Sequence, residues 1–539
     1  MSRCSDLPNA LDLSHHLSKV AQARQVSPLK GLQKYLGRKD LIVLAGGLPH
    51  PDLFPFEEIS ANVYSPDIFP LRSSKKSSFP SWIVNLFSRK GSNGWAKLKI
   101  RKYPKDPGEL NLAQLLQYGL SSGLPDLQKL LEEFVERVYR PAYGNWKILI
   151  HTGNTDGWVR AAMTLCDPGD AFLTSEWTYP SAVAAASPLG LRAVPVPMDG
   201  EGMRSDALFT LLATWDKGVR GSPRPRVMYT VPTGQNPTGA TMDVHRKNEI
   251  YDICVRFDVI IVEDDPYYFL QEGPYTPPQN RVARTELSNE AFLASLVPSY
   301  LSIDYQGRVV RLDSFSKTIA PGCRLGWFTC NALFAERFER QGETSTQAPS
   351  GLSQGLVTAL LLNWKFEGYV RWLRGLGTQY RERRDLCIDL FAEFFKLKPR
   401  SPGINGTPYD GYLKPRSLHS FDYWTEKFVD VPNESPVISF VPPTSGMFLW
   451  LQINFKSHPS FSRLGQRALE TRICTEFADA GVLVGPGFIF SPRLTDNIDD
   501  GGPGHIRLSF SNANPDVLKK AISIMAVVLE RLFSSGDQS

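Results

Sequence analysis

The sequence predicts an α/β protein built around a mostly parallel β-sheet that is covered by helices on both faces. Six short apolar runs have the character of buried strands, and helical segments separate them along the chain. Strands that alternate with helices in this way form parallel sheets with both faces covered. The length of 539 residues exceeds what one hydrophobic core usually serves, so we expect two domains.

The predicted strands are short and almost wholly apolar, which is typical of strands buried on both faces. They are KILI (147–150), DAFLTS (170–175), RVMYTV (226–231), VIIVE (259–263), RVVRLD (308–313) and RLGWFTC (324–330). A helix is predicted to begin at Pro125, because proline fits the first helical turn and the apolar residues from Leu127 to Val138 recur on one face. The segment 250–257 has the same helical spacing.

Composition and cysteine usage indicate an ordinary globular protein of a reducing compartment. The chain is 42% hydrophobic and 21% charged, and no apolar stretch reaches the length of a membrane span. The first residues, MSRCSDLPNALDLSHH, have no apolar core, and the final GDQS matches no targeting address. Seven scattered cysteines without C-x-x-C spacing predict free thiols and no metal site. We expect a cytoplasmic protein with neither a membrane nor a nucleic acid as partner.

Two segments interrupt the regular pattern and are predicted to be insertions. The first, residues 71–106, has ten Lys or Arg against one acid, hence a net charge of +9, and is rich in Ser and Gly. A solvated, mobile surface insertion is the favoured interpretation. The alternative is an arm that binds membrane phosphates or RNA. The aromatic residues Trp82, Phe87 and Trp95 within the basic segment are compatible with it. The second, residues 398–443, is rich in Pro, Gly, Ser and aromatic residues.

Polar clusters follow the predicted strands, at the points where the strands end. They are HTGNTDGW (151–158), SEWTYPS (175–181), TVPTGQNPTGA (230–240), EDDPYY (263–268) and SFSKTIAPGCR (314–324). Each cluster alone is compatible with a polar loop. Because ligands of parallel sheets bind at the carboxyl ends of the strands, five clusters in these positions indicate one binding site. The carboxylates that end an apolar strand need a cationic partner.

These motifs carry a family resemblance. NPTG, EDDPYYFL and SFSK with the following arginine resemble the fold type I aminotransferases of classes I and II, which depend on pyridoxal 5'-phosphate (PLP). LAGGLPHPDLFP (44–55), LQYGLSSGLPDL (116–127), SGMFLW (445–450) and IRLSFSNANP (506–515) resemble the kynurenine/α-aminoadipate branch, and within it the fungal aromatic aminotransferase I group. The resemblance covers nearly the whole chain apart from the two insertions.

The resemblance implies the aspartate aminotransferase-like fold, with a large PLP-binding domain and a smaller α+β domain. Residues 1–70 would form an N-terminal arm and part of the small domain, followed by the basic insertion at 71–108. Residues 109–345 would form the large domain, and residues 346–539 the rest of the small domain. We also expect a homodimer, since Tyr118 resembles the tyrosine that reaches the phosphate from a neighbouring subunit.

The resemblance also implies roles in cofactor binding. Lys317 would form the Schiff base with the cofactor aldehyde and later shuttle the α-proton, a task that suits a lysine whose pKa is held low. Asp265 would pair with the pyridine nitrogen, and Tyr179 would stack on the ring. Tyr268 and Asn236 would bond the phenolic oxygen. The phosphate would be held by Ser314, Ser316, Arg324, Asn154 and Thr155.

Four residues are candidates for substrate binding. Arg507 would hold the α-carboxylate, because a planar guanidinium can donate two parallel hydrogen bonds to it. Lys30 stands where some members of the family have an arginine that closes over the substrate, and Gly47 and Asn236 complete the set.

The implied function is ping-pong transamination between an L-amino acid and a 2-oxo acid. Aromatic donors with 2-oxoglutarate are favoured, and 2-aminoadipate and kynurenine are further candidates. The alternative on the same fold is a PLP-dependent carbon–sulfur lyase or another β-eliminating enzyme, which only its products would distinguish. A PLP-sensing transcription regulator would need a preceding DNA-binding domain, whereas the resemblance begins within the first few dozen residues.

Overall fold

The structure is a computed structural model. It describes residues 7–28, 35, 44–45, 47–71, 94–106, 108–282, 286–403, 406–414, 435–492 and 502–534. Lys30, one of the four candidate substrate residues, lies outside the described residues, as do Trp82 and Phe87 of the basic segment.

Seventeen strands are described. In chain order they are β1 (Glu58–Tyr64), β2 (Trp95–Arg101), β3 (Trp146–His151), β4 (Ala171–Ser175), β5 (Arg192–Val196), β6 (Met198–Asp199), β7 (Gly202–Met203), β8 (Val227–Thr230), β9 (Ile260–Asp264), β10 (Val309–Ser314), β11 (Gly326–Asn331), β12 (Phe395–Pro399), β13 (Tyr409–Leu413), β14 (Ile438–Phe440), β15 (Phe448–Ile453), β16 (Gly485–Pro486) and β17 (Gly504–Ser509).

The central sheet has seven strands in the order β3-β11-β10-β9-β8-β4-β5. Neighbouring strands are parallel except at β11, which is antiparallel to both β3 and β10. The six strands predicted from the sequence are confirmed, and all of them lie in this sheet. The seventh strand, β5, was missed because Pro195 interrupts its apolar run. It lies at the sheet edge, where a proline is tolerated.

Helices cover both faces of the central sheet. The described α-helices are α1 (Lys19–Ala23), α2 (Leu112–Leu115), α3 (Pro125–Val138), α4 (Asn154–Leu165), α5 (Pro180–Ala186), α6 (Ser205–Ala213), α7 (Lys217–Arg220), α8 (Val244–Phe257), α9 (Asn289–Ser295), α10 (Ala332–Glu343), α11 (Gly351–Phe394), α12 (Phe461–Leu464), α13 (Gln466–Asp479) and α14 (Pro515–Ser534). As predicted, α3 begins at Pro125. In the described part of the chain, no helix combines the length and the apolar character that a bilayer crossing requires.

The two faces of the sheet belong to different apolar layers. Ile260 and Val262 of β9 lie in the layer that contains Trp158 of α4. Ile261, between them, lies in the layer that contains Phe134 of α3. Successive side chains of a strand point to opposite faces, so the two layers separate odd from even residues along β9. Even-numbered residues of β9 therefore lie on the side of α4, and odd-numbered residues lie on the side of α3.

A second sheet of six antiparallel strands has the order β12-β13-β14-β15-β17-β16. The long helix α11 leads into it and is kinked at Lys365, whose φ is +55°. Phe391 of α11 packs with Ile522 and Met525 of α14 in the same apolar layer as α4.

The structure corrects one part of the prediction of a mobile basic insertion at 71–106. Residues Trp95–Arg101 form β2, which pairs with all seven residues of β1 in an antiparallel hairpin. Leu98 and Ile100 are buried, while the alternate lysines are exposed. The positive charges of this part therefore lie on the solvent-exposed face of a strand. The alternation of buried and exposed residues, which is typical of a strand, was hidden in the sequence by the many lysines. Residues 72–93 lie outside the described residues.

The prediction of a second insertion at residues 398–443 is also partly wrong. It contains β13 and β14, which occupy the interior of the second sheet. Its prolines and glycines concealed two short strands, and Ile438 and Phe440 of β14 are buried. Residues 404–405 and 415–434 are not among the described residues.

Candidate active site

The N-terminus of α4 and the guanidinium of Arg324 form an anion cradle at the carboxyl edge of the central sheet. No side chain caps α4, so the backbone N–H groups of its first turn can serve an anion. Gly153 precedes the helix with a φ of +104°, and a Cβ there would lie 2.4 Å from Arg324 Nη2. Glycine is therefore required both for the turn and for the approach of the arginine.

Ser314 and Ser316 lie beside this cradle, at the end of β10. Ser314 Oγ donates to Ser316 Oγ at 2.8 Å and lies 3.4 Å from the carbonyl oxygen of Leu325, the residue after Arg324. The hydroxyls, the guanidinium and the helix N-terminus are the kinds of donor that suit a phosphate dianion.

Lys317 follows directly and is half-buried. Burial lowers the pKa of Lys317, and the positive charges of Arg324 and Arg507 lower it further. A lowered pKa increases the fraction of neutral amine, which is the form that attacks a carbonyl group. The structure therefore brings Lys317, Arg324 and Arg507 into one electrostatic environment, although Arg507 is 190 residues away in the sequence.

Asp264, the last residue of β9, faces the cradle. Its Oδ1 accepts a hydrogen bond from Asn154 Nδ2 at 2.6 Å, and its Oδ2 accepts one from the Tyr229 hydroxyl at 2.6 Å. Burial raises the pKa of Asp264, and these two hydrogen bonds oppose the rise. Asn154 was predicted to help to hold the phosphate through its side chain and its backbone N–H group. Instead its amide group holds Asp264 and the carbonyl oxygen of Leu312.

Asp265 lies on the opposite face of the sheet, and this corrects its predicted place at the cofactor ring. Arg311 Nη1 lies 3.3 Å from Asp265 Oδ2 and 3.1 Å from Glu263 Oε2, and its Nε donates to Asp313 at 2.9 Å. Arg311 is completely buried. Asp265 thus helps to neutralise a buried guanidinium, which would otherwise be costly.

Tyr268 belongs to the same buried cluster, so its predicted contact with the cofactor is also corrected. The Arg311 guanidinium lies 4.8 Å from the centre of the Tyr268 ring, and Tyr139 packs edge-on against it with a centroid distance of 5.0 Å. Tyr267, the preceding residue, points to the other side. Its ring packs edge-on against Phe448 at 5.8 Å in the layer of α4.

Arg507 of β17 packs against two aromatic rings. Its guanidinium is 4.5 Å from the ring centre of Phe448 and 4.7 Å from that of Phe490. Its Nη1 donates to Asn236 Oδ1 at 2.8 Å. Burial lowers the pKa of Arg507, against the opposing effect of the neighbouring phenols Tyr267 and Tyr179.

The loop that carries Asn236 is fixed to the second sheet by a close backbone contact. A Cβ at Gly234, whose φ is +55°, would lie 2.6 Å from Gly446 Cα. The glycines of TVPTGQ and SGMFLW are therefore needed because the two backbones touch. This contact links the loop with Asn236 to the sheet with Arg507.

Of the remaining predicted residues that are described, Tyr179 is half-buried against the layer of α4, and three others lie at exposed positions. Tyr118 has 68% of its surface exposed, and Thr155 and Gly47 are exposed as well. Within the described chain, sequence reasoning missed Tyr229, Tyr267, Phe448 and Phe490. Of these, Tyr267 stands in the EDDPYY motif that the sequence analysis singled out, next to the tyrosine that it chose. The other three depend on how distant segments pack, which no local pattern reveals.

Comparison with known proteins supports the same interpretation. Residues 95–409 match the family model for aminotransferase class I and II. An aromatic amino acid aminotransferase of Schizosaccharomyces pombe is 35% identical over 97% of this chain and 98% of its own length. An L-tyrosine:2-oxoglutarate aminotransferase of Serpula lacrymans is 34% identical over 89% of this chain and 84% of its own length.

A solved structure agrees over the whole fold. The crystal structure of aminotransferase Aro8 from Candida albicans superposes with a TM-score of 0.80 at 32% identity, over 98% of this chain and 100% of that protein. The family model and these full-length similarities agree with the site, in which a lysine with a lowered pKa lies beside an anion cradle. The chain belongs to the class I and II aminotransferases and is an enzyme that transaminates.

Proposed function

We propose that this enzyme transfers the amino group of aromatic L-amino acids to 2-oxoglutarate with PLP as its cofactor. The observation that carries the proposal is the position of Arg507. Asn236 and two aromatic rings hold its guanidinium, and its charge helps to lower the pKa of Lys317. The names of the similar proteins from Schizosaccharomyces pombe and Serpula lacrymans support the choice of donor and acceptor. Kynurenine and 2-aminoadipate remain further candidate donors.

The residues present fit PLP. The phosphate would be held by the N–H groups of Asn154 and Thr155 with Ser314, Ser316 and Arg324, and Gly153 leaves the space that this cradle needs. When bound, the cofactor supplies an aldehyde for covalent capture of the amino group and a ring that delocalises the electrons of a broken Cα–H bond. Tyr179 would cover one face of the ring.

Asp264 takes the role that the motif alone had suggested for Asp265. Its carboxylate is held in place by Asn154 and Tyr229, and it can still accept a hydrogen bond from a protonated pyridine nitrogen. Tyr267 replaces Tyr268 as the phenol that accompanies Asn236, since it lies on the side of Arg507 and Tyr179. This shift by one residue keeps the spacing of three between the aspartate and the tyrosine.

Lys317 would move the proton. Its neutral amine at Nζ can accept the α-proton from the substrate Cα and return it to a neighbouring carbon. Arg507 would orient the substrate by donating two parallel hydrogen bonds to the α-carboxylate, which fixes the direction of the Cα–H bond. Phe448 and Phe490, whose rings pack against the guanidinium, would restrict its orientation for this task.

We further propose a cytoplasmic homodimer. Tyr118 is 68% exposed although its motif places it at the phosphate, as expected for a residue that serves the site of a second subunit. All six described cysteines are free, which agrees with a reducing compartment.

A panel of amino donors tests this function. With 2-oxoglutarate as acceptor, we expect kcat/KM for phenylalanine, tyrosine and tryptophan to exceed that for aspartate by about tenfold or more, because an apolar pocket discriminates by buried area. Each turnover should yield one 2-oxo acid and no ammonia. Release of ammonia together with pyruvate or a thiol would instead identify the carbon–sulfur lyase.

The variant Arg507→Lys tests the grip on the α-carboxylate. Lysine keeps the charge but loses the bidentate geometry, so we expect kcat/KM to fall about 10- to 100-fold, equivalent to one charge-assisted hydrogen bond of about 1.5–3 kcal/mol. All donors should lose the same factor, because all share the α-carboxylate. If only acidic donors were affected, Arg507 would bind the side-chain carboxylate, and this assignment would be wrong.

A further inference from the structure

His15, His16 and Asp258 meet where the N-terminal segment crosses the end of α8. Asp258 ends that helix in a left-handed conformation, with a φ of +56°. His15 Nε2 lies 2.7 Å from Asp258 Oδ2, and His16 Nε2 lies 2.9 Å from Oδ1. The three residues are brought together by the fold alone, since more than 240 positions separate the histidines from the aspartate.

We infer that this cluster is a binding site for a divalent transition-metal ion, with Zn²⁺ as the best match. Two imidazole nitrogens and one carboxylate oxygen all lie within 4.8 Å of one another. Three such ligands with water in a fourth position are a common zinc environment. His15 and Asp258 have side-chain exposures of 53% and 45%, so water can reach the fourth position.

The surroundings are compatible with a cation on the His15 side of the carboxylate. Arg308 Nη1 lies 3.3 Å from Asp258 Oδ1. A metal ion at Oδ1 would therefore be repelled by the guanidinium, so Oδ2 is the oxygen that would bind it. His16 is completely buried, which disfavours its charged form, and neutral imidazole is the form that binds metals. Its Nε2 is the nitrogen that would bind the ion, so metal binding would replace the hydrogen bond between Nε2 and Asp258 Oδ1 and leave the ring proton on Nδ1.

The site would fasten the N-terminal segment to the central sheet. Leu13, Leu17 and Ala21 of this segment are buried in the layer of α4. Asp258 precedes β9, whereas Asp264 ends it, so the metal site lies roughly 20 Å from the candidate active site along the strand. The ion would therefore stabilise the fold and take no part in the reaction.

Titration calorimetry of the chelator-treated holoenzyme with Zn²⁺ tests this inference. We expect one strong site per chain and a zinc-dependent rise in Tm. The variants His15→Gln and Asp258→Asn should each weaken zinc binding by more than about tenfold and abolish the rise in Tm, because two ligands remain. The donor panel should give unchanged kcat values in His15→Gln with and without zinc.

His245→Gln is the matched control. His245 lies 3.5 Å from the carboxylate of Glu249 on the surface of α8, a pair with no third ligand in the described part of the chain. Its removal should leave the zinc affinity unchanged. If Asp258→Asn unfolds, the exposed His15 carries the test alone. Equal zinc affinity in His15→Gln and the wild type would overturn the inference, and so would loss of the strong site in His245→Gln.

Discussion

Replacement of Lys317 by alanine is expected to lower kcat by about 10⁴-fold or more, because the variant lacks both the amine that captures the cofactor and the base that moves the α-proton. The protein should remain folded, since Lys317 is only half-buried and its side chain makes no hydrogen bond with the residues that the structure describes. Steady-state rates with phenylalanine and 2-oxoglutarate, together with an unchanged Tm, measure both parts of this prediction.

Lys247 provides the control for the covalent assignment. It is a fully buried lysine on α8, and its Nζ donates to the carbonyl oxygen of Pro298 at 2.7 Å. After borohydride reduction of the holoenzyme, peptide mass spectrometry should find the cofactor mass on Lys317 and not on Lys247. An adduct on any other lysine would refute the assignment.

Replacement of Asp264 by asparagine is the second change with a large expected effect. The amide keeps the size of the side chain but loses the charge. Its oxygen can still accept the hydrogen bond from Asn154, and its NH2 group would donate to the Tyr229 oxygen, from which the carboxylate accepts. We expect kcat to fall about 10²- to 10³-fold, the size of effect seen when one preorganised charge or donor is removed from an active site. Cofactor content, measured by absorbance, should fall far less, because the phosphate cradle is intact.

Asp265→Asn distinguishes the two neighbouring aspartates. Asp265 forms an ion pair with the buried Arg311 and does not face the anion cradle. The asparagine variant should therefore lose stability, while kcat falls by less than about tenfold. A lower Tm with near-normal turnover is the expected result. If Asp265→Asn lost more activity than Asp264→Asn at equal stability, the opposite register of the motif would be correct.

The sequence predicted the elements and motifs whose signals are local. Each of the six apolar strands was identifiable from a few consecutive residues, and Lys317, Ser314 and Arg324 lie within one short segment. The choice between Asp264 and Asp265 depends on which face of the sheet α4 covers, and the sequence alone does not show this. Asp264 shares its face with Ile260 and Val262.

Features that depend on distant contacts could not be predicted. Phe490 lies a few residues after β16. It reaches Arg507 because β16 pairs with β17, where Gly485 is opposite Arg507. Tyr229 supports Asp264 because β8 and β9 are neighbours in the sheet. The strand β2 was missed for a related reason. Lysines on its solvent face dominate the composition, and Leu98 and Ile100 are recognisable as buried strand residues only once β2 is seen to pair with β1.

Mixing the holoenzyme with excess L-phenylalanine, without any 2-oxo acid, tests the proposed transamination most directly. We predict a single equivalent of phenylpyruvate per chain and no ammonia, because the amino group remains on the enzyme until an acceptor removes it. Addition of 2-oxoglutarate should then restart turnover and yield glutamate. Continued release of phenylpyruvate or ammonia without an acceptor would contradict the proposal.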